Sequence, residues 1–278
     1  MTFSYSITLS SFLNIQKNDI ETLENLSQLG LTEVELYGEP DDIDWKYFKD
    51  VLNSFDANVI GITGIWGKSS PNGWKRRLLS NDKSFLKYAE DYVLKCIKLC
   101  NCFGGKRINL CLISDPIYSF DVTHRNVTEN KKTKVLESCV PLLTRLLKNA
   151  KEENVSLMIE PLNRYSTPYC CTYSDVIPLI ERCDDLELML DTFHMNIEEN
   201  SFEDTILNSQ SSLTHMHFAD NNRNMPGYGH IDFDTIIKTL KKVSYKGKIS
   251  FEPTISDRNY FSAVKFGLEH VKKLDLKY

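Results

Sequence analysis

The chain lacks an apolar run long enough to cross a bilayer; no stretch approaches the roughly 18 apolar residues a spanning helix needs. Its first residues, MTFSYSITLSSF, have no basic n-region and no long apolar h-region, so nothing reads as a signal peptide. A cytoplasmic location with no membrane partner is the expectation. Positive charge is not in excess either. The formal net charge is −5, which argues against a protein that wraps duplex nucleic acid. The eight cysteines form no paired CxxC knuckles. Cys96, Cys100 and Cys102 are the nearest approach to a metal cluster. Their place on a helix and the loop after it, with Cys111, Cys139, Cys170, Cys171 and Cys183 mostly inside apolar runs, reads instead as reduced, half-buried thiols. No Pro/Ser-rich linker and no internal repeat divides the chain.

What remains is a globular balance. Hydrophobic residues make up 41% and charged residues 26% of 278, enough for a core that needs no disulfide. Strand and helix signals alternate along the whole length. Residues 3–8, 33–37, 58–63 and 107–112 read as strands. Helical patterns fall at 19–29, 45–55, 84–100 and 130–153, the first stopped at Gly30. Four more strands follow between 156 and 253, with helices at 173–183, 202–207, 233–243 and 260–274. The segments 64–82 and 114–126 read as long loops, a length usually tied to function. Eight alternating units of about 35 residues call for parallel strands, and favour a closed (β/α)8 TIM barrel in a single domain over an open doubly wound sheet.

The chemistry collects in residues 156–253. SLMIEP ends in Glu160, LELMLDTFH carries Asp191, LTHMHFAD carries His217, and KISFEP ends in Glu252. Each lies at the end of a different strand, and in a barrel all C-terminal strand ends open at one mouth. Three carboxylates and one neutral imidazole suit a single divalent ion, Mn²⁺ in preference to Mg²⁺ or Co²⁺, with open positions for substrate oxygens. Such an ion would polarise the carbonyl of a polyol or α-hydroxyketone and stabilise the enediolate formed on proton loss. Glu160 and Glu252 would face opposite sides of the substrate as acid and base. Return of the proton to the opposite face of the same carbon is epimerisation. Return to the neighbouring carbon is aldose–ketose isomerisation, and the residues alone leave both open. His215 reads as a partner orienting a ligand or as a packed residue. Asn163 and Arg164 read as braces for the first ligand or as a helix cap.

The segments IEPLNRY, LDTFHMN, HMHFADNNRNMPGYGHIDF and ISFEP resemble the xylose isomerase-like sugar isomerase/epimerase barrels, nearest to the ketose 3-epimerases of the D-tagatose/D-psicose type. The likeness covers the C-terminal half by motif and the N-terminal half by strand–helix rhythm. It implies a sugar or sugar-phosphate substrate, metal ligands at Glu160, Asp191, His217 and Glu252, and the acid/base pair at Glu160 and Glu252. It implies that His194 and Arg223 hold substrate oxygens, and that homodimers or homotetramers are common among members. The chain departs from the pattern at Ser166, where the ketose epimerases usually carry a substrate-contacting glutamate. An inosose- or dehydroshikimate-type dehydratase would keep a similar ring. An apurinic-site endonuclease of this fold would need extra histidines after strands three and four, where this chain reads Thr63-Gly64 and Leu112-Ile113-Ser114.

The loop at 64–82 carries Trp66, Trp74, Lys68, Lys75, Arg76 and Arg77. The tryptophans would cover one face of a sugar or pack against the rim. The cations read as a solvated run at a helix start, with a phosphate- or acid-binding role as the alternative.

Overall fold

The computed structural model describes residues 2–15, 19–68, 70–115, 127–257 and 260–278. Most of the expected loop at 114–126 lies outside the described residues.

Eight strands, β1 (Tyr5–Thr8), β2 (Glu33–Gly38), β3 (Asn58–Gly64), β4 (Arg107–Leu110), β5 (Ser156–Ile159), β6 (Leu186–Asp191), β7 (Leu213–Phe218) and β8 (Lys248–Phe251), run parallel in sequence order. The sheet closes where β1 pairs with β8, Tyr5 opposite Ile249 and Ile7 opposite Phe251. The helices between them are α1 (Asp19–Gln28), α2 (Trp45–Ser54), α3 (Lys83–Cys102), α4 (Glu129–Ser138), α5 (Val140–Glu152), α6 (Tyr173–Ile180), α7 (Thr192–Glu198), α8 (Phe202–Ser209), α9 (Phe233–Lys242) and α10 (Tyr260–Asp275). The chain is therefore a (β/α)8 barrel. Among the described residues no helix is long and apolar enough to cross a membrane.

Side chains alternate across a strand, and here the alternation sorts apolar from polar. Ile7, Val34, Leu36, Met216, Phe218, Ile249 and Phe251 belong to the apolar core. They pack outward against the helices: Phe218 meets Phe233 of α9 with ring centres 5.3 Å apart. The residues that alternate with them face the lumen, and apart from Met158 and Met189 they are largely polar. Ser6, Thr8, Glu35, Thr63, Asn109, His215, His217 and Ser250 are all buried. Thr8 and Thr63 hydroxyls meet at 2.7 Å across two strands. Bulky branched side chains usually fill this space in the fold, so a polar lumen marks the interior as a place for chemistry.

Two departures from the expected elements have local causes. The stretch 130–153 is two helices, α4 and α5, joined at Cys139. Pro141 has no N–H to continue the first helix but fits the first turn of the second, where that donor would go unused. The segment after Asp191 forms the short helix α7, because the Asp191 side chain accepts from the Phe193 N–H at 2.9 Å and caps it.

The eight cysteines are free, and all but Cys102 are buried. Burial pushes the Cys96, Cys100, Cys139 and Cys171 thiols up to about 12. Thiolates are the reactive form, so a native-state titration with a disulfide reagent should show one fast thiol and seven released only on unfolding. Cys102→Ser should remove the fast phase; a fast phase that survives this change would mean the core is not packed as described.

Candidate metal centre and substrate pocket

The four carboxylate and imidazole side chains that end strands β5 to β8 converge. One ligand atom from each of Glu160, Asp191, His217 and Glu252 lies within 4.8 Å of the other three. Glu160 and Glu252 stand one residue beyond their strands, and the ladder still holds their N–H groups: Glu160 donates to the Leu110 carbonyl and Glu252 to that of Phe218, both at 3.0 Å. The His217 Nδ1 is buried without a hydrogen-bond partner and lies 3.3 Å from Glu252 Oε2. An unpaired imidazole nitrogen beside three carboxylate oxygens is a donor set that fits one divalent cation.

Electrostatics reflect the crowding. Burial and the neighbouring Glu252 carboxylate push the Glu160 carboxyl up to about 7. Burial would also raise Glu252, but His217 and Arg223 outweigh it and hold that carboxyl well below the usual range. Arg223 donates to Asp191 Oδ2 and, at 2.6 Å, to Glu252 Oε2, with its guanidinium 4.7 Å from the centre of the Phe193 ring.

The centre opens into a cavity of about 820 Å³ at the barrel mouth. Glu160, Glu252, His194, Asn163, Arg223, Trp66, Cys111 and Ser166 line it, with Lys68, Trp74, Arg77 and Tyr165 towards the outside.

A model of the family described as xylose isomerase-like TIM barrel matches residues 23–274. The chain belongs to that family. A D-psicose 3-epimerase of Ruminiclostridium cellulolyticum is 28% identical over 240 residues, covering 84% of this chain and 77% of that protein. An L-ribulose 3-epimerase of a Methylomonas species is 25% identical over 226 residues, covering 79% and 72%. Among solved structures, the 3-keto-D-glucoside 4-epimerase of E. coli has the same fold with a TM-score of 0.82 at 19% identity, covering 98% of this chain and 99% of that one.

Within this xylose isomerase-like barrel, each residue singled out from the sequence has a definite place. His194, three positions after Asp191 on α7, is buried with Nε2 3.7 Å from Asp191 Oδ2 and 3.8 Å from Glu160 Oε1. Burial pushes its imidazole down to about 4, so the ring is neutral. Its tautomer follows from Asn163. The Asn163 Oδ1 accepts the Tyr165 N–H at 3.0 Å, which turns Nδ2 towards His194 Nδ1 at 2.8 Å. Nδ1 must then accept, and the proton sits on Nε2, facing the carboxylates. Asn163 thus braces His194 rather than Glu160. Arg164 pairs with Glu198 of α7 at 2.8 Å. His215 is fully buried, with Nε2 3.1 Å from Glu35 Oε1. Trp66 is buried on the cavity wall with an unpartnered indole N–H, and Ser166 is exposed at the mouth.

Two of the loop cations, Arg76 and Arg77, resolve differently from either sequence reading, while Lys68 is exposed beside the cavity. Arg76 is buried: it pairs with Glu39, donates to the Ile65 carbonyl at 2.8 Å and lies 3.8 Å from the centre of the Tyr92 ring. It anchors the loop and is neither solvated nor free for a phosphate. Arg77 reaches the cavity but is paired with Asp115 at 3.2 Å.

Three side chains important to the geometry escaped the sequence reading. Asn109 takes the Gly64 N–H on Oδ1 and gives Nδ2–H to Glu160 Oε2 at 2.6 Å. Glu35 stands between His215 and His217. Asp220, fully buried, organises the loop that carries Arg223. Its Oδ1 accepts from Asn221 and Ile231, its Oδ2 from Gly227 and Gly229, at 2.8–3.1 Å. Gly229 is required there, since a Cβ would stand 2.3 Å from Asp220 Oδ1. The signal was present in ADNNRNMPGYGHID, an aspartate ahead of a glycine-rich turn.

Asp220→Ala would leave those buried N–H groups unpaired, at about 1–3 kcal/mol for each that water cannot reach. The expected result is a lower denaturation midpoint and faster hydrogen exchange at residues 221–231. Unchanged exchange there would show that the loop is held by something else.

Proposed function

We propose that the protein is a divalent-metal-dependent sugar epimerase or isomerase whose preferred reaction is 3-epimerisation of a ketose. The coarse class, isomerase or epimerase, follows from the relatives, which are sugar epimerases. The finer reading is carried by one observation: four donors meet at the mouth of the barrel, and two of them, Glu160 and Glu252, also line the cavity.

A bound ion, with Mn²⁺ favoured over Mg²⁺ and Co²⁺, would supply Lewis-acid polarisation of the substrate carbonyl. The residues of the chain do the rest. Glu160 and Glu252 come from β5 and β8, three strands apart on the barrel wall, and so approach a bound ketose from different sides. One removes the proton from C3 and the other returns one to the opposite face. Asn109 holds Glu160 by Oε2, which leaves its Oε1 for this work. His194 offers Nε2–H to a substrate oxygen. The Trp66 ring lies on the cavity wall, where it can cover one face of a sugar. Arg223, held between Asp191 and Glu252, is placed to contact an oxygen of the same substrate. Ser166 replaces a charged acceptor with a neutral one. Arg76 is buried and Arg77 is paired, which leaves Lys68 at the cavity as the loop cation able to meet a phosphate.

A panel of ketoses incubated with Mn²⁺ in D₂O tests the reaction. Deuterium at C3 with the ketose retained is expected. Deuterium at C1 or C2 with an aldose formed would make the enzyme an isomerase, and an ultraviolet-absorbing product would make it a dehydratase. Glu160→Gln and Glu252→Gln should each lower turnover by about 10²–10⁴-fold, the usual size of an acid/base contribution. Exhaustive chelation should abolish turnover and Mn²⁺ restore it. Full activity after chelation would end the metal-dependent reading.

A further inference from the structure

The lumen holds a carboxylate that the proposed reaction does not use. Glu35 lies in the middle of β2, 1% exposed, between the apolar Val34 and Leu36. It faces away from both, across the lumen to β7. Its Oε2 is 2.9 Å from His217 Nε2, and its Oε1 is 3.1 Å from His215 Nε2. None of these three residues lines the mouth cavity.

We infer that Glu35 is a positioning residue for the metal centre: it fixes His217 in the tautomer that presents the Nδ1 lone pair to the ion. This rests on the metal-dependent reading above and deepens it. The reasoning is one of hydrogen-bond polarity. A carboxylate offers only acceptors. The imidazole atom facing Glu35 Oε2 must therefore carry the hydrogen, and for His217 that atom is Nε2. In the neutral form that binds an ion the imidazole keeps one N–H, so Nδ1 is left as a lone pair. That nitrogen is the buried, unpaired one found 3.3 Å from Glu252 Oε2 among the four ligands. His215 Nε2 stands 3.1 Å from the second carboxylate oxygen, within ion-pair distance but without hydrogen-bond geometry. An imidazole therefore lies against each oxygen of Glu35, and the His217 hydrogen bond holds the carboxylate. Carboxylate partners of this kind commonly orient metal-binding histidines and strengthen them as ligands.

Glu35, His215 and His217 also place three donor atoms within 4.8 Å of one another, so an ion bound among them is the rival arrangement. Together with the four-ligand centre it would require His217 to give up both ring nitrogens to metals, and it would sit away from the cavity.

The test is a titration of metal-free protein with Mn²⁺ alone, followed by calorimetry, which needs no substrate. Wild type should bind one ion per chain. Glu35→Gln nearly keeps the shape, but its amide can accept from only one imidazole and must donate towards the other. Mn²⁺ affinity should fall by about 10- to 100-fold with the melting temperature of the metal-free protein little changed. Glu35→Asp, which keeps the charge, should recover part of the affinity. If Glu35→Gln fails to fold, nitrogen-15 spectra of the histidine rings in Mg²⁺-loaded wild type read the tautomer directly, and hydrogen on His217 Nδ1 would overturn the assignment. Equal Mn²⁺ affinity in wild type and Glu35→Gln would overturn the positioning role and leave the metal centre standing. Two ions per wild-type chain, one of them lost in Glu35→Gln, would replace it with the rival site. A wild type that binds no ion would remove the metal-dependent reading itself.

Discussion

Three carboxylates are buried in the lumen of this barrel and a fourth, Glu252, is half-buried at its mouth, and the rest of the site is arranged to make that tolerable. An isolated buried charge is so costly that proteins pair it, bond it or neutralise it. Each of the four has its own solution. Glu35 is shared by two imidazoles. Glu160 takes the amide of Asn109 and the thiol of Cys111, at 2.6 and 3.3 Å. Asp191 spends one oxygen on the first turn of α7 and the other on Arg223. Glu252 shares Arg223 and faces His217. The compensation remains incomplete: the Glu160 carboxyl stays raised and a His217 nitrogen stays unpaired. Residual negative charge with an unused nitrogen donor is the condition under which a dication gains most from entering.

The fold and the chemistry occupy opposite faces of the same eight strands. Outward residues such as Met216, Phe218, Ile249 and Phe251 make the apolar contacts with the helices. Their burial, at about 25 cal/mol per Å² of apolar surface, supplies the stability that a polar lumen does not. This division lets the inner face change without loss of the barrel.

Legibility in the sequence followed the range of the interaction. Strand alternation and helical periodicity are local, and they were enough to identify the barrel and its order of elements. The four strand-end donors could be read because each closes an apolar run and the fold brings such ends together. Glu35 could not be read that way. A charged residue inside EVELYG looks like one solvent-facing side of a strand, and its partner His217 lies 182 residues away. Asp220 was hidden for a related reason: a DNN turn does not announce that its carboxylate will gather four backbone N–H groups from the next eleven residues. Arg76 misled because a run of cations reads as solvated. Only the fold reveals the Glu39 carboxylate and the Tyr92 ring waiting for it. The break at Cys139 was available in principle from Pro141, whose ring and missing N–H count locally.

The lumen also transmits direction as well as charge. The Tyr165 N–H fixes which end of the Asn163 amide turns inward, the amide fixes which nitrogen of His194 accepts, and His194 is left with a donor at the cavity. The Gly64 N–H does the same for Asn109, whose remaining donor goes to Glu160. In both chains a backbone group, which has no choice of polarity, sets the polarity of a side chain that does. Amides and imidazoles are ambiguous by themselves, and a site built from them would present a mixture of donors and acceptors to a sugar hydroxyl. Tying each to a backbone N–H removes the ambiguity before substrate arrives, so the oxygens of a sugar meet one pattern rather than several.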